Sequence, residues 1–341
     1  MTLKKLLLPI FLIASAVALA VTPGPGSHYA TDAYPGFDND ENILPQERKT
    51  QSYFWWRRAK FNDPKEQLSY ARALVEDKSY SSALTAYNAL VAKWPISNEA
   101  ILAQEELADT YLYKLNDPIV ALEEYKYLVD FYSSSCDYDR VMSKMYETAK
   151  KMRENGKRIV FFKFANTADV RRAFEAVVLR APGALFAPEA MYTIVQLRVL
   201  EEEYAEAIDV CKTIRNRYSN STQAKDALYK EAELRMILLR AHEYNRDRCL
   251  NTLSFMDMAS RSTKNADHQV QFFKWRAETA AIVEKSAYES VKFYDSITRK
   301  KRGTINAYEG FLRDYPASSY AQKVRERLAE LKSQMYDKES K

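Results

Sequence analysis

Histidine, cysteine and glycine motifs are the usual signs of metal binding, nucleophilic catalysis or phosphate binding, and here they do not form recognisable sites. His28, His242 and His268 have no Cys or carboxylate partner at metal-binding spacing, and no HExxH motif occurs. Gly24 and Gly26 lie in a proline-rich stretch, and there is no GxSxG motif or Cys-His arrangement. The sequence therefore predicts a protein without an active site, metal or cofactor.

The remaining reactive groups also favour structural roles. Cys136, Cys211 and Cys249 are far apart and odd in number, so we expect three buried free thiols. The acidic clusters at 105–106 and 201–203 are runs of like charge, which are typical of turns and solvent-facing helix surfaces. Neither group indicates catalysis.

An aromatic and basic stretch, QSYFWWRRAKF at residues 51–61, is the strongest binding signal. Trp and Arg dominate the energetics of protein interfaces, so this stretch could anchor a partner. It could equally cap the exposed end of a helical array. The candidate partner-binding residues are Trp55, Trp56, Arg57, Arg58, Tyr111 and Tyr113.

Tyr111 and Tyr113 belong to a predicted helix at residues 97–115. Tyr111 falls on its apolar face and could be a core residue. Tyr113 lies about 200° further round an α-helix, which makes it the better candidate for an open groove.

Composition favours helices as the elements that position these residues. The 341 residues include only seven glycines beside many Ala, Leu, Glu, Lys, Arg and Tyr residues. The net charge of +5 falls to +3 if Lys4 and Lys5 leave with a signal peptide, because residues 1–20 contain no acid. Such a mild charge argues against nucleic acid as a partner.

One pattern of apolar residues recurs along the chain. Its first copy is Ala83, Leu84, Tyr87, Leu90, Val91 and Trp94, whose spacing forms one stripe of an α-helix. The same spacing recurs from Ala121, Ala207 and Thr304, and more loosely from Val170 and Cys249. Copies start 37 to 55 residues apart, and such a period indicates stacked helix pairs.

A turn signal follows the stripe in five of the six copies. Pro95, Pro182 and Pro316 stop a helix, while Ser133 and Ser219 favour the start of the next one. One helix pair cannot bury its apolar face alone, so neighbouring pairs must cover it. The 24 tyrosines are therefore expected mainly in the core.

The N-terminus has the pattern of a secretory signal. Lys4 and Lys5 precede an apolar run that ends in the small-residue stretch at 18–20, where cleavage is expected. The run of about 15 residues is short for a membrane span, although a retained anchor remains an alternative. The expected divisions are a signal peptide at 1–20, a flexible leader at 21–50, N-terminal helical repeats at 51–156, a connector at 157–168, and C-terminal repeats with a capping helix at 169–341.

Three stretches carry a family resemblance: YSSALTAYNALVAKWPIS, YAEAIDVCKTIRNRYSNSTQAKDALYKEAE, and the closing segment with Phe293-Tyr294, a basic turn and DYPAS. They resemble the tetratricopeptide-repeat proteins of the bacterial envelope, and within them the BamD family of outer-membrane protein assembly factors. The likeness extends over roughly residues 67–335.

This resemblance implies an all-α, right-handed superhelix of about five to six helix pairs without an active site. It implies a periplasmic scaffold at the inner face of the outer membrane. Its C-terminal repeats would bind the barrel insertase and its N-terminal repeats unfolded outer-membrane proteins.

The chain departs from the family in one respect, because the acylated cysteine that normally ends the signal is missing and the first cysteine is Cys136. Two alternatives follow. The protein reaches the membrane through a partner, or it is a soluble periplasmic adaptor for cell-division or peptidoglycan machinery, like the coordinators linked to Tol-Pal.

Overall fold

A computed structural model of the chain describes residues 37, 48–155, 166–241, 246–297 and 301–339. Throughout these residues the regular structure is helical, without β-strands, and the predicted all-α fold is confirmed. The α-helices are α1 (Pro64–Glu76), α2 (Tyr80–Lys93), α3 (Asn98–Asp109), α4 (Pro118–Tyr132), α5 (Tyr138–Asn155), α6 (Thr167–Arg180), α7 (Ala187–Leu200), α8 (Tyr204–Arg217), α9 (Thr222–Ala241), α10 (Arg246–Ser262), α11 (Ala266–Ile297), α12 (Lys301–Asp314) and α13 (Ala321–Glu339).

The helices stack in the order of the chain. Each packs on the next from α1 to α13, and three pairs of odd-numbered helices also touch, α1 with α3, α7 with α9 and α9 with α11. The described helices therefore form six successive pairs, from α1/α2 to α11/α12, with α13 closing the stack. The even-numbered helix of each pair carries one copy of the repeated stripe.

Polar caps fix where several helices begin. The carboxylates of Asp63 and Asp117 and the hydroxyl of Ser97 each accept a hydrogen bond from a backbone N–H in the first turn of α1, α4 and α3, respectively. Pro64 and Pro118 occupy the first position of α1 and α4, where a missing N–H does no harm.

One turn recurs after the stripe, as the sequence predicts. The backbone N–H three residues beyond the last stripe position donates to the carbonyl of that position. This bond joins Ser97 to Trp94 (3.0 Å), Ser135 to Tyr132 (2.9 Å), Ala184 to Ala181 (3.1 Å), Ser221 to Tyr218 (2.8 Å) and Ser318 to Tyr315 (3.2 Å). The weakest copy differs, because α10 continues as helix to Ser262.

The stripe residues form the core. Ala83 and Ala207, which start two of the stripes, are completely buried, so neighbouring helices approach closely there. Tyr87 is buried but keeps a partner for its hydroxyl, which donates to Glu106 at 3.0 Å. Tyr125 donates in the same way to Asp109. These tyrosines are packing residues, as the pattern predicts.

The expectation that the acidic clusters lie at turns or on solvent-facing surfaces is wrong for Glu105, while Glu201 lies in a turn as expected but is covered by a cation. Glu105 is buried, and it accepts hydrogen bonds from Arg140 and, at 2.9 Å, from Lys144 of α5. Glu201 accepts from the buried Arg171 at 2.7 Å. A run of like charge does not reveal that cations on neighbouring helices will cover it.

The cysteines are free thiols. Cys211 and Cys249 are buried as predicted, while Cys136 is only partly buried. Within the described part of the chain, no helix is both long and apolar enough to cross a membrane. The predicted signal peptide, nearly all of the leader, and most of the 157–168 connector lie outside the described residues.

Candidate functional site

The aromatic segment, residues 53–58, is exposed before α1. Trp55–Arg57 forms a short 3₁₀-helix with no buried residue. The exposed fraction is 96% for Tyr53, 53% for Phe54, 78% for Trp55 and 58% for Trp56. Such a run of exposed rings is unusual on a protein surface, which makes the segment a candidate for binding.

Contacts within the aromatic segment hold its shape. The Phe54 ring stacks on the Trp56 ring at 4.8 Å between centroids, and Trp55 meets Trp56 edge to face at 5.9 Å. The Arg58 guanidinium donates to the carbonyl oxygens of Ser52 (3.0 Å) and Tyr53 (3.4 Å). Preformed rings lose little conformational entropy when a partner binds.

Two open clefts lie beside the aromatic segment, and Arg57 lines both of them. The first, the aromatic cleft, has a volume of about 730 Å³. Its walls are Trp55, Trp56, Arg57, Arg58 and Lys60 with Tyr70 of α1 and Ser81, Ser82 and Thr85 of α2. The second, the side cleft, has a volume of about 370 Å³ and is lined by Thr50, Ser52, Arg57, Leu84, Asn88 and Tyr111, among others.

The two clefts bring together five of the six predicted binding residues and separate the sixth. Tyr111 lies in the side cleft next to Arg57. Tyr113 points elsewhere, because its hydroxyl donates to Glu147 of α5 at 3.2 Å and Lys151 lies 4.4 Å from the centre of its ring. The predicted preference for Tyr113 over Tyr111 as a groove residue is therefore reversed.

A change of helix type contributes to this reversal. Thr110–Lys114 forms a π-helical turn after α3, so the α-helical angle assumed from the sequence does not apply. Burial raises the pKa of both tyrosines, and beside the carboxylate of Glu147 the pKa of Tyr113 reaches about 12. Both hydroxyls are protonated donors at neutral pH.

The clefts are electropositive. Arg57, Arg58 and Lys60 are exposed, and no Asp or Glu is among the residues that line either cleft. Guanidinium groups beside aromatic faces suit a carboxylate and an apolar side chain presented together. The clefts offer hydrogen-bonding and stacking groups, and no His or Cys is among the residues that line them.

The capping interpretation fits the residues just after the aromatic segment best, although Trp55–Arg57 also contacts α2. The backbone N–H groups of Lys60 (2.9 Å) and Phe61 (3.2 Å) donate to the side-chain oxygen of the buried Gln67. Lys93 of α2 donates to the Phe61 carbonyl at 3.0 Å, and the Phe61 ring packs on Tyr70. Residues 60–61 thus cap the first pair, while the tryptophans remain available.

Gln67 and Lys49 make contacts beside the clefts that the sequence did not reveal. Gln67 carries no signal beyond its place on the inner side of α1. Lys49 belongs to the predicted flexible leader, yet its side chain is only 19% exposed and contacts α3 and α4. Phe37, also from the leader, is buried with the core. The packing of Lys49 and Phe37 differs from the expectation of a flexible leader at residues 21–50.

No metal site emerges from the part of the chain that the structure describes. No three His, Cys, Asp or Glu residues there are grouped so that they could hold an ion.

Residues 186–341 match the model of the YfiO family, described as outer membrane lipoprotein, which represents the BamD family. The C-terminal part of the chain is similar to this family. The resemblance predicted from the sequence is thereby confirmed. The match covers α7 to α13, whereas every candidate binding residue lies before it.

Solved structures similar to the chain are tetratricopeptide-repeat proteins at low identity. One from Parabacteroides merdae is 13% identical, with 79% of this chain and 98% of that chain covered and a TM-score of 0.29. One from Cytophaga hutchinsonii is 14% identical, with 78% and 88% covered and a TM-score of 0.28. At such scores these neighbours add no argument about the site. A search among curated proteins gave no match.

Proposed function

We propose that the protein is a non-enzymatic periplasmic scaffold of BamD type, which binds partner proteins or unfolded outer-membrane proteins during outer-membrane protein assembly. The observation that carries this proposal is the pair of electropositive clefts around Arg57, rimmed by exposed tryptophans and built on stacked helices. The family match of residues 186–341 supports the role in the outer membrane.

The clefts favour a particular kind of ligand. An extended segment that presents an aromatic or aliphatic side chain beside a carboxylate would stack on Trp55 or Trp56 and pair with Arg57 or Arg58. Unfolded barrel proteins offer such segments before their strands pair. The exposed hydroxyl of Ser81 and the side-chain oxygen of the partly buried Asn88 can bond to the backbone of an extended ligand.

The proposal includes location and processing. Export would remove residues 1–20, and the remaining chain would act in the periplasm, peripheral to the inner face of the outer membrane. Contact with the membrane would depend on partners such as the barrel insertase. The C-terminal repeats of the family match would hold that partner, which leaves the N-terminal clefts free for the client.

The test is the Trp56→Ala variant of the full chain. Binding of a fluorescent peptide from an unfolded outer-membrane protein should weaken at least tenfold in an anisotropy titration, because the variant loses a hot-spot ring. The matched control is Phe273→Ala on α11, whose ring is also 58% exposed. The control should bind like the wild type. Both variants should keep the wild-type melting temperature.

Two results would contradict the proposal. Loss of folded protein in the Trp56→Ala variant would show that the aromatic segment caps the helical array. Unchanged peptide binding would show that the clefts do not bind the client. A pull-down from envelope extracts separates the two envelope roles. Recovery of Tol-Pal components or peptidoglycan enzymes without the barrel insertase would replace the assembly role with that of a cell-envelope adaptor.

A further inference from the structure

The strongest unassigned feature is a socket for a lysine side chain on the surface of α3 and α4. Lys49 fills it. The Lys49 ammonium donates to the Gln104 side-chain oxygen at 3.0 Å and to the Glu124 carboxylate at 2.5 Å. It also lies 5.0 Å from the centre of the Tyr127 ring. Gln104 of α3 and Glu124 and Tyr127 of α4 thus surround the Lys49 charge.

The groups that form the socket are fixed independently of Lys49. Gln104 is fully buried, and its side-chain N–H donates to the Glu124 backbone carbonyl (2.9 Å) and carboxylate (2.7 Å). These bonds leave the Gln104 side-chain oxygen aimed at the ammonium. A buried acceptor that loses its donor costs about 1–3 kcal/mol, so the socket favours an occupant.

Further contacts beside the socket are made by the backbone of Lys49 and by the preceding residue, Arg48. The Lys49 backbone N–H donates to the Tyr127 hydroxyl at 3.1 Å, and Tyr127 is buried. The Arg48 guanidinium lies 5.0 Å from the centre of the Phe131 ring, which itself packs on Tyr127 at 4.5 Å. The site therefore recognises a basic pair on an extended segment rather than a single charge.

We infer that the α3–α4 surface is a binding site for an extended segment carrying consecutive Arg and Lys residues, and that the chain's own residues 48–49 occupy it as a tethered ligand. A partner segment of this chemistry binds by displacing them. The occupied segment continues through Thr50 and Ser52 into the side cleft, so displacement also changes that cleft. The socket does not depend on whether the aromatic cleft binds a client.

Because residues 48–49 belong to the same chain as the socket, their covalent connection determines how strongly they compete with a partner segment. A short flexible connection gives an effective concentration in the millimolar range, so a free peptide of similar affinity is excluded at micromolar concentration. Burial lowers the pKa of Lys49, while the adjacent Glu124 carboxylate opposes this shift. The ion pair thus offsets only part of the cost of removing the lysine from water.

The first test measures release of the leader by trypsin, which cleaves after Lys and Arg. In the wild-type full chain, cleavage after Lys49 should be slow compared with cleavage after the exposed Arg58. Glu124→Gln should speed cleavage after Lys49 about tenfold, because loss of a charge-assisted hydrogen bond worth ~1.4 kcal/mol raises the open population tenfold. Cleavage after Arg58 is the internal reference.

The matched control is Glu147→Gln, which removes an acid from α5 on the Tyr113 side of the array. It should leave cleavage after Lys49 unchanged. Equal cleavage after Lys49 and Arg58 in the wild type, or no acceleration in Glu124→Gln, would overturn the inference.

The second test uses a labelled synthetic peptide of residues 46–52, QERKTQS. The full-chain double variant Arg48→Ala/Lys49→Ala should bind this peptide at least tenfold more tightly than the wild type. Adding Gln104→Ala to that variant, or replacing the peptide lysine by alanine, should abolish binding. Equal binding of the peptide by wild type and double variant would show that the leader does not fill a recognition site. The Trp56→Ala result is independent of this outcome.

Discussion

Charged residues inside the array are the most consequential single side chains. The Arg180 guanidinium of α6 donates to both carboxylate oxygens of Asp130 on α4, at 3.0 and 3.1 Å. Their side chains are 0% and 2% exposed. This pair links α4 to α6, the even-numbered helices of successive pairs. The stripe pattern contains no hint of it, because charged residues are expected on the surface.

Replacing Asp130 by alanine should destabilise the protein strongly. The substitution leaves the Arg180 charge buried without this carboxylate, a change that typically costs about 3–5 kcal/mol. Urea unfolding followed by circular dichroism measures it. The control is Asp209→Ala, which breaks the exposed Asp209–Lys212 pair and should change stability by less than about 1 kcal/mol. Similar small effects from both variants would contradict a structural role for the buried pair.

The repeated stripe determines how the elements pack. Ala207, at the start of the α8 stripe, is completely buried, whereas Ala205 on the same helix is exposed. A small residue at the first position allows α8 to lie close to α7 and α9. The pattern therefore determines how closely neighbouring helices approach as well as where the helices form.

Ala207→Leu tests this function of the stripe. Added methylenes in a packed core force neighbours apart and typically cost about 1–3 kcal/mol. The same substitution at exposed Ala205 should stay within about 0.5 kcal/mol of the wild type. Thermal unfolding of the two variants compares them directly. A larger loss in Ala205→Leu than in Ala207→Leu would mean that the helix faces are assigned wrongly.

Local signals account for what was predictable about these elements. Proline, serine and apolar spacing act within one helix and its following turn, so the pairs and the turn after Trp94 or Tyr315 follow from the sequence. The π-helical turn at residues 110–114 and the docking of Lys49 depend on contacts between distant segments. No local pattern encodes them, and for this reason the order of Tyr111 and Tyr113 at the clefts was reversed.

At the scale of the whole molecule, the buried apolar residues that the structure describes fall into three adjoining clusters. Buried apolar residues form one cluster from the first pair to α9, a second among α9, α10 and α11, and a third among the end of α11, α12 and α13. Repeat arrays gain stability from neighbouring units, so each cluster can open without its distant partners. The proposal that the N-terminal clefts bind the client while the C-terminal repeats bind a partner is consistent with clusters that open separately.

Phe311→Ala should reveal this independence. Phe311 is 3% exposed in the third cluster, and its truncation typically costs about 3–5 kcal/mol. Hydrogen exchange measured by mass spectrometry should speed up in α12 and α13, with α3 to α8 unchanged, because the missing ring weakens only the terminal unit. Leu128→Ala, in the first cluster, is the reciprocal control and should speed exchange in α3 to α5 while sparing α13. Uniformly faster exchange in every helix of the Phe311 variant would show that the array unfolds as one cooperative unit, and a partner bound at α11 to α13 would then stabilise the clefts as well.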